Sequence, residues 1–158
     1  MRLGFLHRTT FVAAFCLGVA FSTNSAFAGD DKKLEVLLIW GTNQEKSSDP
    51  AHKKVDSATS RDFKKVYKWE NYFVINRKNA GVEARKKTEF KMSDQCRLEV
   101  KHLGDDRFEV WLWGKDAEAV KEEAVCKGKQ SLPKGERLIL MGLNENESGW
   151  FVLIRHKE

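Results

Sequence analysis

The chain has 158 residues, 41% of them hydrophobic, and 28 Lys and Arg against 23 Asp and Glu give it a net charge of +5. That balance excludes a disordered polyelectrolyte, and a single short apolar stretch excludes a polytopic membrane protein. The modest charge by itself names no partner.

The N-terminus is the most informative segment. Arg2 and Arg8 flank a basic start, an apolar run follows from Phe11 to Phe21, and polar Ser22-Thr23-Asn24-Ser25 precedes Ala26-Phe27-Ala28. This order predicts a signal peptide over 1–28, cut near Ala28, so that the mature chain starts at Gly29 and is exported to the periplasm or secreted. A membrane anchor would need roughly 20 apolar residues. Cys16 follows bulky Phe15 inside the apolar run, which rules out a lipidation site. The remaining residues, 29–158, suit one β-rich domain that can bury a core of its own.

Leu34-Glu35-Val36-Leu37-Leu38-Ile39-Trp40, ended by Gly41, predicts a central, buried strand. Polar residues from Gly41 to Pro50 predict a loop. Val55, Ala58, Thr59, Phe63, Val66 and Tyr67 then recur at three- and four-residue steps. They predict one amphipathic helix over Asp56–Lys68, capped by Asp56 or Ser57. From Trp69 the period becomes two. Strands are expected at Asn71–Asn76, Thr88–Met92, Arg97–Lys101 and Arg107–Trp113, with a turn at Asn79-Ala80-Gly81 and a hairpin at Leu103–Asp106. Asp116–Cys126 reads as a further strand, although its Ala and Glu content also suits a helix. A turn at Leu132-Pro133-Lys134-Gly135 leads to strands at Arg137–Met141 and Trp150–Arg155. The expected fold is α+β and mostly β: an antiparallel sheet or sandwich of about six to seven strands, with one amphipathic helix near the N-terminus of the mature chain.

Four strings carry a resemblance: Leu38-Ile39-Trp40-Gly41-Thr42-Asn43, Lys68-Trp69-Glu70-Asn71-Tyr72-Phe73, Leu132-Pro133-Lys134-Gly135-Glu136 and Trp150-Phe151-Val152. Together they resemble a family of small exported bacterial proteins to which no activity is assigned. The resemblance implies export, one β-rich domain and no catalytic residue to carry over.

Two cysteines remain after the leader, Cys96 and Cys126. An even, small number in an oxidising compartment predicts a disulfide between them, worth roughly 3–4 kcal/mol; two buried thiols are the alternative. His52, His102 and His156 are too widely spaced for a metal motif and are expected on the surface. No nucleophile motif, phosphate-cradling loop or paired carboxylate stands out, so no catalytic residue, cofactor or metal is expected.

Charge is uneven along the chain: from Ala51 to Lys91 there are 12 Lys and Arg against 5 Asp and Glu. Lys53, Lys54, Arg61, Lys64, Lys65, Arg85, Lys86 and Lys87 are therefore candidates for a basic face toward a polyanion or membrane surface, or simply solvated lysines. Trp111 and Trp113 share one face of their strand while Phe108, Val110 and Leu112 line the other. Both faces of that strand are thus apolar, and the second needs a cover: another sheet, the helix or a partner. Trp111, Trp113 and Trp150 are the candidate partner-binding aromatics. The reading is a non-enzymatic binding or structural protein of the cell envelope, with an envelope protein, a glycan or an anionic surface as partner and no nucleic acid. A basic-face polyanion module is the alternative, and a small hydrolase the third.

Overall fold

The computed structural model describes residues 31–114, 123–144 and 147–157. The expected leader over 1–28 and most of the segment Asp116–Cys126 lie outside them. Among the described residues the chain is mostly β, with strands β1 (Lys32–Thr42), β2 (Lys53–Lys54), β3 (Asn71–Val82), β4 (Lys87–Lys91), β5 (Cys96–Gly104), β6 (Arg107–Gly114), β7 (Glu123–Ser131), β8 (Arg137–Asn144) and β9 (Ser148–His156), and one helix, α1 (Ser57–Val66). They form two antiparallel sheets, one of five strands in the order β2-β3-β1-β9-β8 and one of four in the order β4-β5-β6-β7.

β1 is the central strand of the larger sheet, paired with β3 on one side and β9 on the other. Its run of apolar residues suits that place because both its faces are covered. Leu34, Val36 and Leu38 point into the core between the sheets, joined by Val152 and Ile154 of β9 and by Leu98, Val100, Val110 and Leu112 of the smaller sheet. Leu37 and Ile39 point the other way, under α1, with Phe63, Trp69, Tyr72, Phe151 and Leu153. The layers are helix, five-stranded sheet, four-stranded sheet. Polar links join the two sheets as well: Asn76 Nδ2 donates to the carbonyl of Met92, just after β4, at 2.7 Å, and Lys32 pairs with Asp106 of the β5–β6 turn at 3.5 Å.

The helix begins where a cap is available. Asp56 accepts the Thr59 amide at 2.8 Å, and its second oxygen accepts the Thr59 hydroxyl at 2.8 Å. Lys64 and Lys65 sit in the last turn, where positive charge suits the helix dipole. It ends at extended Tyr67, earlier than the expected Lys68. The apolar stripe is also narrower than expected: Phe63 and Thr59 are buried, whereas Val66 is 72% exposed.

Three further expectations need correction. Asn79-Ala80-Gly81 is not a turn; β3 runs on to Val82, pairing Asn79 with Glu35 and Ala80 with Leu34, because β1 itself extends back to Lys32 and supplies the ladder partners. His102 and His156 are buried rather than superficial. His102 Nε2 donates to the Asp105 carbonyl at 2.8 Å and its ring stacks on Phe108, while His156 Nδ1 donates to the Leu132 carbonyl at 2.9 Å. His102 pins the β5–β6 hairpin, whose reversal uses Gly104 at φ +108° and Asp105 at φ +52°, and His156 ties the end of β9 to the segment after β7.

The third correction concerns the disulfide. Cys96 on β5 lies opposite Gly114 of β6, and Cys126 on β7 lies opposite Leu112 of β6. A whole strand separates them, about 9–10 Å of sheet, against the 7 Å or less that a bridge tolerates between Cα atoms. The two thiols are not bonded to each other.

Candidate binding face on the four-stranded sheet

Strand alternation sorts the smaller sheet cleanly. Phe90, Leu98, Val100, Phe108, Val110 and Leu112 are buried toward the larger sheet, so their neighbours along each strand face outward. The outward residues form rows across the sheet. Lys87, Lys101, Glu109 and Lys129 make one; Glu89, Glu99, Trp111 and Lys127 make the next; Lys91, Arg97, Trp113 and Ala124 make the third. Trp111 and Trp113 therefore stand side by side, roughly 6.5 Å apart along β6. Both are half-buried, and neither belongs to the two apolar clusters.

The indoles are bordered by cations. The Lys87 ammonium lies 4.4 Å and that of Lys127 5.4 Å from the Trp111 ring centroid, and the Arg97 guanidinium carbon lies 4.9 Å from that of Trp113. Contacts of this kind at an exposed site contribute about 0.5–1 kcal/mol each, weak enough for a ligand to replace. Glu99 is the anionic hub. Lys87 donates to it at 2.7 Å, and Arg97 bonds both Glu99 and, at 3.5 Å, Glu89. The Lys87 hydrogen bond, opposed by partial burial and reinforced by Arg97, holds the Glu99 carboxyl below its ordinary pKa. Lys101, Lys127 and Lys129 make no ion pair among the described residues. Across the three rows, six cations face three carboxylates.

The helix does not cover this face. Phe63 of α1 and Tyr67 at its end pack on the far side of the larger sheet, against Phe151 and Tyr72. Trp150, the third candidate aromatic, is elsewhere too. Its ring packs at the edge of the inter-sheet core, over Gly142 and within 3.3 Å of where a Cβ on Gly114 would stand. It belongs to packing and not to the Trp111–Trp113 pair.

The candidate basic residues divide between two surfaces. Lys53 and Lys54 form the β2 edge, and Arg61, Lys64 and Lys65 ride on α1, all on the larger sheet's side. Lys64 pairs with Glu70 at 3.1 Å and Lys65 with Asp62 at 3.3 Å, which neutralises much of that surface. Arg85, Lys86 and Lys87 lie beyond β3, where Lys86 pairs with Glu83 and only Lys87 reaches the tryptophans. A run of positive charge in sequence is thus not one positive face.

A second polar cluster, unforeseen in the sequence, lies at the start of α1. Glu35, whose side chain is 2% exposed, is met by Arg77 at 3.0 Å, Arg155 at 3.4 Å and Lys157 at 3.5 Å. Arg155 also reaches Asp56 at 2.8 Å and Thr59 at 2.7 Å, and Arg137 pairs with Asp62. Burial raises the Asp56 carboxyl, but the Thr59 amide and Arg155 outweigh it and leave the pKa far below the ordinary value. An open groove of about 620 Å³ runs beside Asp56, Thr59, Arg137 and Arg155. Asp56, Arg137 and Arg155 are each committed to a partner, so the cluster is a clamp between β1, β9 and α1. No group of three His, Cys, Asp or Glu side chains converges as a metal site among the described residues.

No family model, curated protein or solved structure matches this chain. None of the described helices is long and apolar enough to cross a membrane.

Proposed function

We propose that this chain is an exported, non-enzymatic binding domain of the cell envelope that engages its partner through the outer face of the four-stranded sheet. One observation carries the reading: Trp111 and Trp113 stand together outside both apolar cores, bordered by Lys87, Arg97 and Lys127. Indoles combine large apolar area with little rotamer freedom, and they dominate recognition where they sit on an outer face. The leader-like order of residues 1–28 supports export. The buried polar groups support a role other than catalysis: Glu35 and His156 are spent on joining separate segments, and His102 Nε2 on the Asp105 carbonyl of its own hairpin, with its Nδ1 buried and unpartnered.

The test is co-sedimentation with isolated envelope material. The intact protein pellets with it; the Trp111→Ala/Trp113→Ala double variant, folded by circular dichroism, stays in the supernatant. A Val66→Ala control on α1 pellets normally. Equal pelleting of the double variant and the intact protein overturns the assignment of this face.

A further inference from the structure

Resting on that reading, we infer that the ligand of the Trp111–Trp113 face is an acidic polysaccharide, with sugar rings stacked on the indoles and its anionic groups held by the flanking lysines. The two indoles follow one another along the outer face of β6, so they offer successive stacking positions to an extended chain. The C–H face of a sugar ring is apolar and packs on an aromatic ring, while its rim of hydroxyls needs polar neighbours. Those neighbours are present on both sides: Lys87 and Lys127 beside Trp111, Arg97 beside Trp113.

The charge pattern narrows the class. Six cations against three carboxylates leave the face net positive, which disfavours a neutral glycan. Yet Glu89, Glu99 and Glu109 are interspersed among the cations, and carboxylates beside a bare polyphosphate or an anionic bilayer would only repel it. Toward a sugar they have work to do, because they accept hydrogen bonds from hydroxyls. A polymer that carries both hydroxyls and negative charge satisfies both halves of the pattern. Lys127, whose one described contact is with Trp111, is the cation best placed to take a carboxylate or sulfate without breaking an ion pair.

The experiment is a binding titration of the purified protein with polygalacturonate, dextran sulfate, neutral dextran and inorganic polyphosphate, run beside the envelope sedimentation. The expected result is binding to polygalacturonate or dextran sulfate that weakens about tenfold or more in Trp111→Ala. It weakens also in Lys127→Gln and as salt rises from about 50 to 200 mM, and dextran does not bind. Equal, Trp-independent binding to polyphosphate overturns the inference and reduces the face to a charged surface. Dextran binding as tightly as the acidic polymers overturns it in favour of a neutral glycan. No binding to either acidic polymer, while envelope sedimentation still requires Trp111 and Trp113, overturns the ligand class and leaves the docking face standing. Loss of both overturns the inference together with the reading beneath it.

Discussion

Lys87 Nζ lies 4.4 Å from the Trp111 ring centroid and 2.7 Å from Glu99 Oε2, so one ammonium group ties the edge strand β4 to an indole two strands away. Trp111 is thereby held on a polar lattice, whereas its neighbour Leu112 is fully buried on the opposite face. The two residues should respond very differently to truncation. Leu112→Ala is expected to cost about 2–5 kcal/mol because it opens a cavity. Trp111→Ala is expected to cost about 1–2 kcal/mol, the loss of two cation contacts and some side-chain packing. Urea unfolding of the two variants checks this, and a Trp111→Ala loss as large as that of Leu112→Ala would place the indole in the core.

Asp56 gives a pH dependence with a definite sign. Its pKa is lowered in the folded protein, relative to about 3.9 in an unfolded chain. Its contribution to stability is therefore complete above about pH 4 and is lost as pH falls through the folded value. Asp56→Asn keeps a capping oxygen but removes the ion pair with Arg155. The Asp56 side chain is half exposed and the pair is screened, so the cost near neutral pH is about 1 kcal/mol. The stability difference between wild type and variant should shrink below pH 4 and vanish at lower pH. Denaturant melts across that range decide it; a constant difference contradicts the assignment.

What could be read in the sequence follows the strength of the burial signal. β1 was legible because seven consecutive positions, Glu35 apart, are apolar, and only a strand covered on two faces needs that. The β5–β6 hairpin was legible through clean alternation around Gly104 and Asp105. The second half of β3 was not, because Arg77, Lys78 and Asn79 are held by backbone pairing to β1 and not by burial. The apolar second face of β6 pointed to Trp111 and Trp113, but only the tertiary arrangement shows α1 committed to the other sheet. Counting cysteines could not reveal that β6 runs between Cys96 and Cys126. Glu35, one acid inside an apolar strand, was the available hint of the charged clamp; the arginines that meet it come from 42 and 120 residues away.

The clamp itself is testable. Glu35→Gln removes the charge that Arg77, Arg155 and Lys157 share while keeping the shape of the side chain. Hydrogen bonds to a charged partner are worth about 1.5–3 kcal/mol, and a loss in that range is expected. In a double-mutant cycle Arg155→Gln should add less in the Glu35→Gln variant than in the wild type. Strict additivity would show that the pair does not interact.

The two tyrosines of the chain report on helix docking. Burial, aided by Glu70, pushes the Tyr72 phenol up to about 12, and burial raises Tyr67 as well. Alkaline titration followed by tyrosinate absorbance should therefore show both phenols, Tyr72 the further of the two, displaced above the ordinary value near 10. Phe63→Ala, which removes the ring lying between Tyr67 and Tyr72, should bring at least one tyrosine back toward it. An ordinary titration in the wild-type protein would mean that α1 does not seal that side of the sheet.

Docking of the partner on the outer face of the four-stranded sheet is read by the indole N–H resonances of the five tryptophans during titration with solubilised envelope polysaccharide. Trp111 and Trp113 are expected to shift together with saturation, while Trp40, Trp69 and Trp150 stay in place. Saturable shifts confined to Trp40, Trp69 or Trp150, with Trp111 and Trp113 unmoved, would contradict it.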